Sequence, residues 1–342
     1  MKLFTGLLLL ILSLPLYADD TPTEPQTDAE KGEVPGLAEA EKPGIATEKV
    51  DVEVVADEEF DEEVRNLPPL MAKIRTERLA AKNPYVILPH RPNYFLPLTY
   101  MRSPSNRELN RALSLYADEP LEVDEGYDHW EGIFQISLKY VLREDLFCKL
   151  CNLEFGYTNR SFWQLYNQGM SRPFRETNHE PELMFSLPLK GYWVDHMRFS
   201  LNHQSNGQQS TLSRSWNRII VEATSIMRHG VLTGRAWYRL PEKDSSDPQD
   251  PSDDDNPDIL DYMGHGEISY IRLMDQQQFE IMIRNNLEFD TNRGAVQLGY
   301  SFPLNDRVKG YVQYFNGYGE SLIDYNRFQE RISIGFKLSD WF

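Results

Sequence analysis

A histidine, a serine and an asparagine stand at spacings that bring them together on one β-hairpin. His203 and Ser205 are two residues apart, so their side chains project to the same face of an extended strand. Asn217 follows a short loop and falls on the same face of the next strand. Serine becomes a nucleophile when a base takes its proton, histidine titrates near neutral pH, and an amide oxygen can hold the imidazole in the required tautomer. These residue types predict acyl chemistry, with His203 as base, Ser205 as nucleophile and Asn217 as the orienting group.

The neighbouring residues indicate which way these side chains point. Three apolar residues precede His203 on its own face: Met197, Phe199 and Leu201. The opposite face carries polar side chains: Arg198, Ser200, Asn202 and Gln204. An apolar outer face is typical of a membrane barrel, and a charge there costs roughly 2–4 kcal/mol at the midplane but about 0–1 kcal/mol near the interface. We therefore expect a lipid-facing site near the outer interface, where a neutral asparagine avoids placing a full charge against lipid.

Segments that alternate between apolar and polar residues recur from residue 86 to the C-terminus. They lie at 86–101, 130–143, 151–167, 176–189, 196–206, 213–227, 231–240, 261–273, 278–289, 294–304, 308–318 and 331–342. An even number of strands returns both termini to the periplasm, so the pattern predicts an all-β fold, a 12-stranded antiparallel transmembrane β-barrel. A soluble β-sandwich is the alternative, but it does not explain aromatic residues at strand ends, which would form girdles at the membrane interfaces. These residues are Tyr192, Trp193, Trp237, Tyr238, Trp341 and Phe342.

The N-terminal quarter has a different composition. Residues 1–18 combine Lys2, a short apolar core and a small residue at the cleavage position, which predicts a signal peptide for export. Residues 19–66 contain 17 acidic and 4 basic side chains and carry −13 of the formal charge of −18, which favours a disordered periplasmic segment and no nucleic-acid partner. A partner-binding role is the alternative, and residues 70–82 could form a short helix at the barrel mouth. The predicted organisation is a signal peptide at 1–18, an acidic, proline-rich extension at 19–84 and the barrel at 85–342.

Two cysteines, Cys148 and Cys151, form a single C-x-x-C sequence. A redox site would need a strand-to-helix context, and a zinc site would need a second pair of ligands. In an exported chain we favour a small structural disulfide across a turn.

Four blocks of sequence resemble a known family. Asn202-His203-Gln204-Ser205-Asn206-Gly207, with Ser213-Arg214-Ser215-Trp216-Asn217-Arg218, resembles the active-site hairpin of the outer membrane phospholipase A family. Similar blocks lie at 173–178, 254–258 and 317–326, and the resemblance covers about residues 85–342. It implies a Gram-negative outer-membrane enzyme, a calcium-dependent phospholipase A1 and A2. Such an enzyme hydrolyses the sn-1 and sn-2 acyl esters of phospholipids and lysophospholipids, is active as a homodimer, and has its site on the outer-leaflet side.

The resemblance also implies roles for individual residues. Ser205 corresponds to the nucleophile, His203 to the base and Asn217 to the orienting amide, and we expect the Gly207 N–H to help stabilise the oxyanion. The implied Ca²⁺ ligands are Ser171 from the partner subunit, the backbone carbonyl of Gln208, Ser213, and Asp255 at a site in the monomer. The family often has arginine where this chain has Gln208, a change that a backbone ligand tolerates. Water must complete the shell, because Ca²⁺ takes six to eight oxygen ligands.

Other interpretations remain open at this point. A passive barrel such as a porin would share the fold, although the intact His203, Ser205 and Asn217 set argues against it. A soluble periplasmic esterase would share the chemistry without the membrane. The aspartates of the 241–260 loop could form a second calcium site, but apart from Asp255 we favour a solvated acidic loop.

Overall fold

In the computed structural model of this protein, the described residues are 75–339, except 78, 81, 108, 111–125, 190–191, 209–211, 244–253 and 306. The predicted signal peptide, most of the acidic extension, the aspartates at 244–253, and Trp341 and Phe342 lie outside the described residues.

Thirteen strands and one short helix are bounded in the described part of the chain. The elements are β1 (Leu88–Pro89), β2 (Asn93–Met101), β3 (Trp130–Arg143), β4 (Asn152–Trp163), β5 (Phe174–Pro188), β6 (His196–Ser205), β7 (Ser215–Met227), β8 (Gly230–Arg239), α1 (Ile259–Met263), β9 (Gly266–Met274), β10 (Gln277–Asn285), β11 (Gly294–Pro303), β12 (Lys309–Gly317) and β13 (Gln329–Ser339). Strands β2 to β13 pair antiparallel with their neighbours, and β13 returns to pair with β2. The predicted 12-stranded antiparallel barrel is confirmed.

The barrel is polar inside and apolar outside. In β13 the inward side chains are buried: Arg331, Ser333 and Lys337. The outward side chains are about half exposed: Ile332, Ile334 and Phe336. Interior charges are paired, as where Arg331 binds Glu320 and Lys337 binds Glu280. This inversion of the soluble pattern is what a transmembrane barrel needs, because lipid contacts its outer surface. No helix in the described residues is long and apolar enough to cross a membrane.

Short and long connections alternate around the barrel. Short turns join β3 to β4, β5 to β6, β7 to β8, β9 to β10 and β11 to β12, as predicted. The longer connections therefore gather at the opposite rim, and the 206–214 loop between β6 and β7 is among them. A disulfide joins Cys148 to Cys151 in the β3–β4 turn, which confirms the favoured interpretation of the C-x-x-C sequence.

The predicted strand at 86–101 is interrupted. Leu88 and Pro89 pair with Lys139 and Leu138 of β3, and regular pairing resumes only in β2. Pro92 lies in the interruption, and a proline has no N–H to give to a ladder hydrogen bond. The guanidinium of Arg91 instead turns inward, 2.8 Å from Glu180 Oε2 and in contact with Glu182.

The predicted strand at 261–273 is wrong at its start, where the chain forms α1. Ile259 and Met263, four residues apart, lie on one helical face and pack on Trp216 and Trp237 inside the barrel. Gly264 then ends the helix with a φ of 61°. Trp237 is consequently an interior residue, not a girdle residue, and its Nε1–H donates to the Gly264 carbonyl at 2.8 Å. The predicted girdle positions Tyr192, Trp193 and Tyr238 are exposed.

Helical residues also precede the barrel. Residues 75–77 and 79–80 are helical, within the segment where a short helix was predicted. Glu77 lies 3.0 Å from the Lys139 ammonium of β3, so this segment contacts the barrel wall near the rim with the short turns.

Candidate active site

His203 and Asn217 form the centre of the site. They are direct partners across β6 and β7, and His203 Nδ1 lies 2.9 Å from Asn217 Oδ1. The other amide atom, Asn217 Nδ2, donates to Glu242 Oε1 at 2.8 Å. An amide nitrogen can only donate and a carboxylate can only accept, so this contact fixes which amide atom faces the histidine. His203 Nδ1–H therefore donates to Asn217, and Nε2 is left as the basic atom.

Ser205 ends β6 on the same outward face. Its cross-strand partners are Ser215 of β7 and His179 of β5. The described residues show no hydrogen bond between the Ser205 hydroxyl and His203. The fold thus places the predicted nucleophile and base on one face, two residues apart.

The loop after Ser205 is held by a buried asparagine. Asn206 Nδ2 donates to the Leu212 carbonyl at 2.9 Å, and its Oδ1 accepts from the Arg214 N–H at 3.0 Å. Gly207 follows with a φ of 64°, a conformation that favours glycine. Among the described residues none accepts a hydrogen bond from the Gly207 N–H, the predicted oxyanion donor.

Asp255 and Ser213, two of the predicted metal ligands, lie together. Ser213 Oγ donates to Asp255 Oδ2 at 2.7 Å, and Ser215 Oγ lies 3.3 Å from the same oxygen. Ca²⁺ prefers hard oxygen ligands, so a carboxylate with two hydroxyls fits that ion. Clusters of three or more His, Cys, Asp or Glu side chains suited to a metal do not occur in the described ranges.

The other two predicted ligands are not joined to this cluster. Gln208 is exposed, and its N–H lies 3.3 Å from Asn206 Oδ1. Ser171 is exposed in the β4–β5 connection with a φ of 59°. If Ser171 serves the site of a second copy, it need not lie near Ser213 of its own copy.

Three residues at the site were missed from the sequence. Ser215 was detectable, because it shares the face of Asn217 two residues away. His179 was detectable only from the β5–β6 register; its Nδ1 accepts from Asn159 Nδ2 at 3.3 Å and lies 2.7 Å from the Tyr157 hydroxyl. Glu242 had no signal, since it follows β8 in an aperiodic loop. Burial raises the pKa of the Glu242 carboxyl, and Arg239 and the Asn217 amide oppose that rise.

The fold and this geometry define a class: a transmembrane β-barrel with a histidine–asparagine pair and a neighbouring serine on its outward face, near the rim with the long connections. Comparison with known proteins identifies the family. The family model for phospholipase A1 matches residues 70–338, and the chain belongs to that family.

Similar proteins come from several bacteria. A putative phospholipase A1 of Neisseria meningitidis is 40% identical over 260 residues, which cover 73% of this chain and 65% of that protein, just under two thirds of its length. Phospholipase A1 of Escherichia coli K12 is 32% identical over 296 residues, 84% of this chain and 94% of the relative. Among solved structures, the Salmonella typhi outer membrane phospholipase dimer with bound calcium is similar with a TM-score of 0.65 and 31% identity. That similarity covers 76% of this chain and 94% of the solved chain.

Proposed function

We propose that this protein is a calcium-dependent outer-membrane phospholipase that hydrolyses the sn-1 and sn-2 acyl esters of phospholipids and lysophospholipids. The observation that carries the proposal is the 2.9 Å contact of His203 Nδ1 with Asn217 Oδ1 on the outward face, two residues from Ser205. Membership of the phospholipase A1 family supports the substrate class. The apolar outer surface supports direct access of acyl chains from the membrane.

The proposed reaction is acyl transfer through the serine. His203 Nε2 takes the Ser205 proton as Oγ attacks the ester carbonyl, and the Gly207 N–H donates to the resulting oxyanion. His203 then gives the proton to the departing lysolipid oxygen, which leaves an acyl group on Ser205. Water, deprotonated by the same imidazole, attacks this acyl-enzyme and releases the fatty acid. Asn217 keeps the ring in the tautomer that both steps need.

We further propose that Ca²⁺ binds beside the serine in a homodimer. Ser213 and the Gln208 carbonyl of one copy and Ser171 of the second would hold the ion, which would supply positive charge near the developing oxyanion. Asp255 would serve a calcium site within one copy. A similar protein, that of Salmonella typhi, is a dimer with bound calcium. The position of the 206–214 loop at the rim with the long connections supports a site on the outer-leaflet side. A signal peptide at 1–18 and a periplasmic extension at 19–84 complete the proposal.

The test is acyl release from mixed phospholipid–detergent micelles, measured with Ca²⁺ and again with a chelator. Calcium-dependent release that is lost in Ser205→Ala supports both the serine mechanism and the metal. Release that ignores the chelator keeps the serine chemistry but removes Ser171, Gln208 and Ser213 as ligands. No release in either condition favours a passive barrel.

A further inference from the structure

Glu242 lies directly behind the candidate dyad. The Asn217 amide is bound at both ends, with Oδ1 2.9 Å from His203 Nδ1 and Nδ2 2.8 Å from Glu242 Oε1. The backbone is tied at the same place, because the Leu240 N–H donates to the Asn217 carbonyl at 2.8 Å. Asn217 therefore cannot turn its amide over without losing its bond to a carboxylate as well as its bond to the histidine.

Among the described residues, Asn217 is the side chain that hydrogen-bonds to Glu242, although charged residues lie nearby. Glu242 Oε2 is buried and has no hydrogen bond in the described part of the chain. Arg239 faces it at 3.6 Å, too far for a hydrogen bond, and the same guanidinium binds Asp254. Asp254 and Asp255 add negative charge on the other side of the loop. The Glu242 carboxylate therefore contacts the Asn217 amide from the loop after β8, and not from a strand that faces lipid.

We propose that Glu242 is a positioning residue for the hydrolysis, acting on His203 through Asn217. It holds the amide so that Oδ1 faces the imidazole, and it places a negative charge one residue behind the imidazolium that forms when Ser205 loses its proton. That proton moves from Ser205 Oγ to His203 Nε2, while Asn217 and Glu242 keep their own protonation. A neutral amide on the outward face thereby gains the support of a carboxylate without exposing a charge to lipid. The inference rests on the function proposed above.

The first test compares Glu242→Gln and Glu242→Ala with the wild-type enzyme at saturating Ca²⁺. We expect kcat to fall about tenfold in Glu242→Gln, which loses the charge, and further in Glu242→Ala, which also loses the acceptor. KM and the Ca²⁺ concentration for half-maximal activity should not change, because Glu242 is not among the proposed metal ligands and contacts the proposed catalytic residues only through Asn217. Glu288→Gln, in the β10–β11 connection at the same rim, is the matched control. Wild-type kcat in both Glu242 variants would overturn the inference.

The second test reverses the polarity of the contact. Asn217→Asp alone brings a second carboxylate against Glu242, and like charges at this distance repel. Adding Glu242→Gln to Asn217→Asp restores a donor–acceptor pair, so we expect it to raise kcat several-fold in that background, although it lowers kcat in the wild type. A structural role alone would not change the sign of the effect. Equal losses in both backgrounds would exclude the positioning role.

A substrate-independent readout separates this inference from the phospholipase proposal. An alkyl fluorophosphonate forms an Oγ–P bond with an activated serine as fluoride leaves, so its labelling rate at Ser205 reports activation by His203. Slower labelling in Glu242→Gln supports the inference, even if the wild type releases no fatty acid from phospholipid. Labelling that is absent in the wild type, or unchanged in the variant, overturns it. Migration as a folded barrel on an unheated gel establishes that each variant has assembled.

Discussion

Of the two ring nitrogens of His203, Nδ1 contacts Asn217, and Nε2 has no hydrogen bond to any residue that the structure describes. Nδ1 is 2.9 Å from the Asn217 amide oxygen, so the proton on that nitrogen is fixed and Nε2 is the basic atom. The site thus depends on a single tautomer of His203. Asn217 defines that tautomer directly, and Glu242 does so by fixing the Asn217 amide.

Replacing His203 by asparagine should remove the general base. We expect kcat to fall by about 10²–10⁴-fold with little change in KM, because a positioned base contributes a factor of that size to the chemical step. Acyl release from mixed micelles measures it. His229→Asn, in the β7–β8 turn at the opposite rim, should retain the wild-type rate. A rate within a few-fold of wild type in His203→Asn would show that another group acts as the base.

Gly207→Ala tests the backbone of the oxyanion loop. An added Cβ would lie 3.7 Å from His179 Cδ2, an ordinary contact, so the cost comes from the φ of 64°. We expect the free energy of unfolding to fall by about 1–2 kcal/mol and kcat to fall as the N–H shifts. Urea unfolding and acyl release measure the two effects. Gly234→Ala in β8 should change neither, since an added Cβ there meets nothing within 4 Å.

At the scale of elements, the chain between β1 and β2 lacks regular strand pairing, and Arg91 in this segment forms an ion pair inside the barrel. Arg91 binds Glu180 and Glu182, and Arg218 Nη2 also lies 2.9 Å from Glu180. This network ties the β1–β2 interruption to β5 and, through Arg218, to β7, the strand that carries Asn217.

Arg91→Leu should destabilise the barrel. Removing one partner leaves buried carboxylates uncompensated, and such losses typically cost about 3–5 kcal/mol. We expect a lower urea midpoint for the refolded protein in detergent. Arg102→Ala, which removes an exposed ion pair with Glu330, serves as the control and should leave the midpoint unchanged. Equal midpoints for Arg91→Leu and the wild type would show that the other partners satisfy both carboxylates.

The sequence predicted those elements whose side chains alternate without interruption. Period-two patterning located the β6–β7 hairpin and put His203, Ser205 and Asn217 on one face, because the barrel has only an inside and an outside. It failed at 261–265, where Ile259 and Met263 repeat every four residues against a tryptophan cluster inside the barrel. It also overlooked the interruption at Pro92, since the flanking residues still alternate.

The site could be predicted only as far as it lies on strands. Ser213 and Asp255 meet across two connections, and their pairing came from resemblance rather than from spacing. Glu242 reaches Asn217 from an aperiodic loop 25 positions along the chain. No local pattern specifies such a contact, which depends on how the connection after β8 folds back over β7.

At the scale of the whole molecule, activity should depend on association. The proposed calcium site takes Ser171 from a second copy, and Ser171 is exposed in the β4–β5 connection. We expect specific activity in detergent micelles to fall on dilution and to be retained in chemically cross-linked protein. Activity independent of protein concentration would remove the shared site.

Ser171→Ala tests the proposed Ca²⁺ ligand from the second copy directly. We expect it to raise the Ca²⁺ concentration for half-maximal activity while leaving the barrel folded. Ser105→Ala, in the β2–β3 connection at the same rim, should leave the calcium requirement unchanged. An unaltered calcium requirement in Ser171→Ala would indicate a site completed within one copy.

The connection between β8 and α1 is cross-tied at its base. The Asp254 N–H donates to the Lys243 carbonyl at 2.8 Å, so Glu242 and Asp255 are fixed on either side of this bond. This bond joins the two residues that flank positions 244–253 of the sequence. Insertions or deletions between Lys243 and Asp254 would leave the Glu242 and Asp255 carboxylates in place. This makes the stretch a natural position for length variation during evolution. It also suits the grafting of an epitope that reports the orientation of the protein in intact cells.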